Sequence, residues 1–138
     1  MSETRFETVT AFATEQAIDY AGLYQSFMAR ESDASGTVVL HHGRVKRPGK
    51  QVPFFSSVEL KAVCPDVDGW LAQLASRAKE LFALNRALVV HRLGSLAAGE
   101  TVLLVIVSSV SRGPAFEACS WIVDEIKKEE IIELVELP

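Results

Sequence analysis

Basic side chains are gathered at a few places in this sequence, although its formal net charge is −4. The segment 43–50 contains two glycines and four basic residues, which are Arg44, Lys46, Arg47 and Lys50. Guanidinium and ammonium groups neutralise phosphate oxygens, and glycine lets a backbone approach an anion closely. The segment therefore indicates an anion-binding loop, with a solvated basic turn as the alternative.

Further basic residues stand at the two ends of one predicted helix, 112–128, whose apolar residues recur at helical spacing. Arg112 opens this helix, where free N–H groups and the helix dipole favour an anion. Lys127 and Lys128 close it, at the negative end of the dipole. His91 and Arg92 end a predicted strand. If these ends meet the loop 43–50, they form one anion site on an acidic protein, and the sequence alone leaves that convergence open.

Other kinds of site find no support in the residue spacing. The three histidines, His41, His42 and His91, do not have the spacing of a zinc site. Cys64 and Cys119 form neither a C-x-x-C pair nor a disulfide framework. No P-loop and no G-x-G-x-x-G or G-x-S-x-G motif occurs. We therefore expect no metal ion, and the pattern disfavours enzymes that use nucleoside triphosphates or dinucleotides.

Charge and hydropathy argue against two classes of partner. An acidic chain has no general attraction for nucleic acid or for an anionic membrane. The longest apolar run, 102–107, is too short to span a bilayer, and residues 1–7 lack the apolar segment of a secretory signal. We expect neither nucleic acid nor membrane as a partner, and a cytoplasmic location.

Helical and extended patterns alternate along the chain. Helices are predicted at 15–31, from 65–66 onward, and at 112–128. Strands are predicted at 1–13, 37–41, 52–63, 86–91, 101–108 and 131–137, the first of them at a sheet edge. No interdomain linker is visible. The prediction is one α+β domain over 1–138, in which helices pack on a mostly antiparallel sheet.

Several short blocks carry a resemblance to a known family. They are G-R-V-K at 43–46, H-R-L-G-S-L-A-A-G-E at 91–100, S-S-V-S-R at 108–112 and A-F-E-A at 115–118. In this order they resemble G-x-V-R, H-R-x-G-x-L-x-x-G-E, S-S-x-H-R and A-F-E-A of the large, catalytic subunit of molybdopterin synthase. Asp124 and Lys127 match the D-x-L-K end of that family's last helix.

The resemblance implies an activity and a set of partners. The family works in molybdenum cofactor biosynthesis as a homodimer, each subunit carrying a small, ubiquitin-like sulfur-carrier subunit. The carrier's thiocarboxylate tail enters a pocket of the large subunit. Two sulfurs then pass to cyclic pyranopterin monophosphate, and the product is molybdopterin. The resemblance implies no metal and no other cofactor for this step.

The same resemblance assigns roles by matched position. Lys127 matches a lysine that acts on the substrate, by acid–base work or by fixing the thiocarboxylate. Lys46 and Arg112 match substrate-binding positions, and Arg112 would hold phosphate. Further substrate-binding candidates are Arg44 in the same loop, Ser111 in place of the family's histidine, and Lys128 beside Lys127.

The chain also departs from the family, and the departure leaves three hypotheses open. The family continues with P-x-W-K-x-E and a second essential lysine, where this chain has Leu134 between two glutamates, Glu133 and Glu136. The first hypothesis is a sulfur-transferring enzyme. The second is a non-catalytic paralogue that keeps the fold and dimer and binds the sulfur carrier or a true catalytic subunit. The third is a dimeric α+β domain with an unrelated small ligand.

Overall fold

A computed structural model describes residues 8–138, which form two sheets and three helices. The strands are β1 (Val9–Thr14), β2 (Thr37–Arg44), β3 (Ser57–Ala62), β4 (Arg86–Arg92), β5 (Gly94–Leu96), β6 (Thr101–Ser109) and β7 (Ile132–Leu137). The helices are α1 (Tyr20–Ala29), α2 (Val67–Leu81) and α3 (Arg112–Glu129). The predicted strand at 1–13 falls partly outside the described residues, and its described part is β1.

The larger sheet has the order β1-β4-β6-β2. Only the β1–β4 pair is parallel; β4–β6 and β6–β2 are antiparallel. Strand β6 lies inside this sheet, which explains why its sequence is apolar without alternation. Leu103, Val105 and Val107 enter the core beneath α2 and α3, whereas Leu104 and Ile106 enter the core beneath α1.

Helices α2 and α3 cover one face of this sheet. Leu71 and Ala75 of α2 and Ala118 and Ile122 of α3 are completely buried in the shared core. Burial of one leucine or isoleucine side chain contributes roughly 1.5–3 kcal/mol to folding. Asp66 caps α2, its side chain accepting a hydrogen bond of 3.0 Å from the Gly69 N–H. The packing of α3 fixes where its last turn, with Lys127, lies.

The smaller sheet has the order β5-β3-β7 and is antiparallel throughout. Glu130 follows α3 with a left-handed backbone (φ 51°, ψ 41°), and this turn directs β7 back along β3. Leu134 consequently stands opposite Leu60. A separate apolar core belongs to this sheet. It consists of Val45, Phe55, Val58, Leu60 and Leu96.

The α+β class and the mostly antiparallel pairing are confirmed. The largest errors in the predicted boundaries were two starting positions. Helix α1 begins at Tyr20 and not at 15, because the Asp19 carboxylate caps it by accepting a 3.0 Å hydrogen bond from Gly22 N–H. Strand β3 begins at Ser57 and not at 52, because residues 51–55 wrap around the small sheet and bury Phe55.

Among residues 8–138, no helix combines the length and the apolar character needed to cross a bilayer.

Candidate functional site

A cavity of about 690 Å³ lies where the two sheets meet beneath the end of α3. Residues from β2, β3, β4, β6, β7, α3 and the loop after β2 contribute to its wall. The lining residues are His41, Gly43, Arg44, Lys46, Lys50, Leu60, His91, Val102, Leu103, Val123, Ile126, Lys127, Glu130, Ile132 and Leu134. The site therefore depends on the mutual packing of both sheets and the last helix.

Four basic side chains converge on this cavity: Arg44, Lys46, Lys50 and Lys127. Three of them come from the loop that was predicted to bind an anion, and the fourth comes from the end of α3. None of the ion pairs formed within residues 8–138 uses Lys46, Lys50 or Lys127. The ammonium groups of Lys46 and Lys127 are thus available to an anionic ligand, whereas the charge of Lys50 also acts on the Glu136 carboxylate.

The backbone near Gly43 brings Arg44 to the cavity mouth. The pairing of β2 with β6 shifts register between Gly43 and Arg44, and a bulge of this kind redirects the following side chain. The Arg44 Nε donates a 3.2 Å hydrogen bond to the Gly99 carbonyl. Arg47, by contrast, donates to the Phe55 carbonyl and packs over the Phe55 ring, outside the cavity lining.

Two histidines complete the polar wall. Burial lowers the pKa of His41, and the charge of Lys127 and the neighbouring His42 act in the same direction. Burial also lowers the pKa of His91, partly offset by its hydrogen bond to the Arg92 carbonyl. That bond joins Nδ1 to the carbonyl oxygen over 2.9 Å, so Nδ1 must carry the proton. The neutral imidazole of His91 therefore keeps an unprotonated Nε2.

The structure does not bring every predicted site residue to this cavity. Arg112 and Ser111 stand at the opposite end of α3 from Lys127, and 15 residues of helix measure about 22 Å. Lys128 has a side chain that is 69% exposed and pairs with Glu125 over 3.5 Å. These three residues do not line the cavity, and their binding roles remain predictions.

Sequence reasoning placed Lys50 in the predicted anion-binding loop but gave it no role of its own, and it left His41 out of the site. Lys50 belongs to the basic segment 43–50, which was the available signal. His41 precedes Gly43 by two positions on a predicted strand, and residues at that spacing share one face of a sheet. Neither signal could show which face meets α3.

The acidic residues Glu133 and Glu136 do not line the cavity, although their positions beside Leu134 in the sequence suggest that they would. Glu133 and Glu136 flank Leu134 in sequence, yet only Leu134 lines the cavity. The Glu136 carboxylate instead accepts hydrogen bonds from the backbone of the loop at 50–52. Glu130 is the carboxylate that lines this cavity within the described part of the chain. The cavity wall therefore stays predominantly cationic.

Residues 13–129 match the family described as MoaE protein. The chain belongs to this family. The molybdopterin synthase catalytic subunit of Haemophilus influenzae is 32% identical over 117 residues, which are 83% of this chain and 75% of that protein. The same-named protein of Pyrococcus abyssi is 47% identical over 58 residues, which are 42% of this chain. In that match the chain spans only 39% of the Pyrococcus protein's length.

Solved structures agree with the family assignment. A crystal structure of molybdopterin synthase from Staphylococcus aureus superposes with a TM-score of 0.78 at 25% identity, over 91% of this chain and 88% of that one. A complex of subunits 1 and 2 of molybdopterin-converting factor from Helicobacter pylori gives a TM-score of 0.75 at 16% identity, over 91% and 83%. The second comparison shows a shared fold.

Proposed function

We propose that this chain is a molybdopterin synthase catalytic subunit that acts in molybdenum cofactor biosynthesis. It would transfer sulfur from the thiocarboxylate of a small carrier subunit to cyclic pyranopterin monophosphate. The observation that carries this proposal is the convergence of Lys127 with the cations of the loop 43–50 on one cavity. A phosphate-bearing pterin and a thiocarboxylate are both anions, and unpaired ammonium groups suit both.

The cavity divides the work between binding and chemistry. Arg44, Lys46 and Lys50 hold the phosphate, since they lie together on one loop at the cavity wall. Lys127 acts on the reacting groups, either by proton transfer or by fixing the thiocarboxylate. Apolar residues from α3 and the sheets, including Val123, Ile126 and Leu103, line the same space and give the pterin ring a surface to pack on.

The proposal includes two protein partners. A small ubiquitin-like sulfur carrier would deliver the thiocarboxylate tail, and the Helicobacter pylori complex of subunits 1 and 2 shares the fold of this chain. A second copy of this chain would form a homodimer. Because Arg112 lies far from Lys127 in its own chain, a phosphate role for Arg112 requires that it reach the cavity of the other copy. Exposed Val110 and Phe116 beside it, 68% and 59% accessible, offer an apolar contact surface.

One observation favours the non-catalytic paralogue as a second candidate. Leu134 reaches the cavity from β7, and it stands near the point in sequence where the family has its second lysine. A leucine can neither donate a proton nor hold an anion. A chain of this kind could bind the carrier or a catalytic subunit without transferring sulfur.

A single-turnover assay separates the two candidates. The purified chain is mixed with the thiocarboxylated carrier from the same organism and with cyclic pyranopterin monophosphate, and dithiolene formation is followed. We expect product, because Lys127 and the basic loop are in place. Absence of product, with carrier binding still detected by calorimetry, would overturn the enzyme proposal and support the paralogue.

A further inference from the structure

The basic loop after β2 is fastened to the last strand through one carboxylate. Glu136 Oε2 accepts a hydrogen bond from the Lys50 N–H at 3.0 Å. Glu136 Oε1 accepts two more, from the N–H groups of Gln51 and Val52, each at 2.6 Å. The strongest influence on the Glu136 carboxyl is the Val52 N–H, and together these bonds lower its pKa. The carboxylate thus stays ionised and holds three successive backbone donors.

The side chain of Gln51 completes the attachment from the loop side. Its Nε2 donates to the Leu134 carbonyl at 3.0 Å, and its Oε1 accepts from the Glu136 N–H at 2.9 Å. Gly49 allows this close approach, because a Cβ atom at that position would collide with the Glu136 carboxylate. We call these contacts between residues 49–52 and β7 the loop latch.

The loop latch lies directly beside the anion-binding residues. Lys50 is both a latch residue, through its backbone N–H, and one of the residues that line the cavity. The strand that carries Glu136 also contributes Leu134 to the cavity wall. A loop with exposed proline and lysine residues would otherwise lose considerable conformational entropy each time it closed on a ligand.

We propose that Glu136 is a positioning residue for ligand binding: its carboxylate holds the loop so that the Lys50 ammonium is preorganised over the cavity that contains Lys127. The anion's identity as a pterin phosphate rests on the proposed function; the positioning role applies to any small phosphate-bearing anion. This positioning role predicts an effect opposite to the one expected from charge alone. Removing a negative charge near a cationic site should by itself strengthen anion binding, whereas loss of the latch should weaken it.

The test measures the dissociation constant of inorganic phosphate by NMR titration of the full chain. Glu136→Ala removes all three acceptor bonds. Glu136→Gln retains one oxygen for Gln51 and Val52 but turns an NH2 group toward the Lys50 N–H. Glu133→Gln, on the same strand and outside the cavity lining, is the matched control for loss of one charge.

We expect Glu136→Ala to weaken phosphate binding by about two- to twelvefold, from an ordering cost of about 0.5–1.5 kcal/mol per side chain. Glu136→Gln should give a smaller loss in the same direction, and Glu133→Gln should not weaken binding. In a Lys50→Ala background, Glu136→Ala should add no further weakening. Thermal unfolding of each variant checks that the fold persists. If Glu136→Ala does not fold, the phosphate affinity of Glu136→Gln is used for the comparison with the wild type.

Unchanged or tighter phosphate binding in the Glu136 variants would overturn the positioning role. Weakening that persists without the Lys50 side chain would also overturn it, since Lys50 would not then be the group positioned. Neither result would bear on whether the wild-type chain transfers sulfur. The single-turnover assay tests that proposed function separately.

Discussion

The fold disfavours the charged form of both cavity histidines, His41 and His91, because burial lowers the pKa of each. His91 is only 7% exposed, and burial lowers its pKa below the ordinary value of 6.5. The folded protein therefore favours the neutral ring, which leaves Nε2 as a hydrogen-bond acceptor among cationic side chains. The proposed substrate, cyclic pyranopterin monophosphate, has N–H donors on its pterin ring in addition to its phosphate, so a neutral acceptor would complement the lysines.

This shift predicts a pH dependence of stability. As pH falls below 6.5, the unfolded chain takes up a proton at His91 before the folded chain does, so the free energy of unfolding decreases. His91→Gln lacks this pH-dependent contribution of His91 to the free energy of unfolding. The contributions of His41 and of the carboxylates are present in both proteins and cancel in the comparison. Urea unfolding at intervals from pH 7.5 to 5 should show the wild-type advantage over His91→Gln shrinking below pH 6.5. A constant difference across this range would contradict the burial argument.

At the scale of elements, β7 covers the stretch where the resemblance leads us to expect the family's second lysine. It pairs with β3 along its whole length, so its side chains alternate between two faces. Leu134 and Val135 are 37% and 39% exposed, yet only Leu134 lines the cavity. Positions 134 and 135 are therefore similarly exposed to solvent, but only position 134 faces the cavity.

Leu134→Lys should therefore strengthen phosphate binding by about five- to tenfold, which corresponds to one charge-assisted hydrogen bond reduced by repulsion from neighbouring lysines. Val135→Lys adds the same charge on the other face and should change binding by less than about twofold, because the charge is solvated there. Phosphate titration of both variants provides the comparison. Equal effects in the two would show that net charge, and not the cavity, governs binding.

Sequence patterns predicted the elements better than their meeting points. The unbroken apolar run of β6 predicted burial, and the apolar stripe of 112–128 predicted a packed helix with Lys127 and Lys128 at its end. The segment 52–55 was misread because Val52 and Phe55 pack in the small core without forming a strand. Convergence of Arg44 with Lys127 could not be predicted, since it depends on the register of β2 against β6. The contacts of Glu136 with the loop could not be predicted either, because its hydrogen-bond partners are more than 80 residues away in the sequence.

At the scale of the whole molecule, the site draws on both sheets, the last helix and, in the proposed homodimer, a second copy. The net charge of −4 is compatible with binding an anion because four basic residues, Arg44, Lys46, Lys50 and Lys127, line one cavity. The homodimer itself stays a prediction. It would explain why a phosphate-binding arginine at position 112 can stand about 22 Å from the lysine with which it is expected to cooperate.

The most direct test of the central claim, that sulfur transfer takes place in the cavity beside Lys127, compares two adjacent lysines. Lys127 lines the cavity, whereas Lys128, about 100° further around the helix, pairs with Glu125 on the surface. In the single-turnover assay, Lys127→Ala should lower the rate of dithiolene formation by at least about 100-fold. Lys128→Ala should leave the rate within about twofold. Retained activity in Lys127→Ala, or equal losses in the two variants, would contradict the assignment of this cavity as the reaction site.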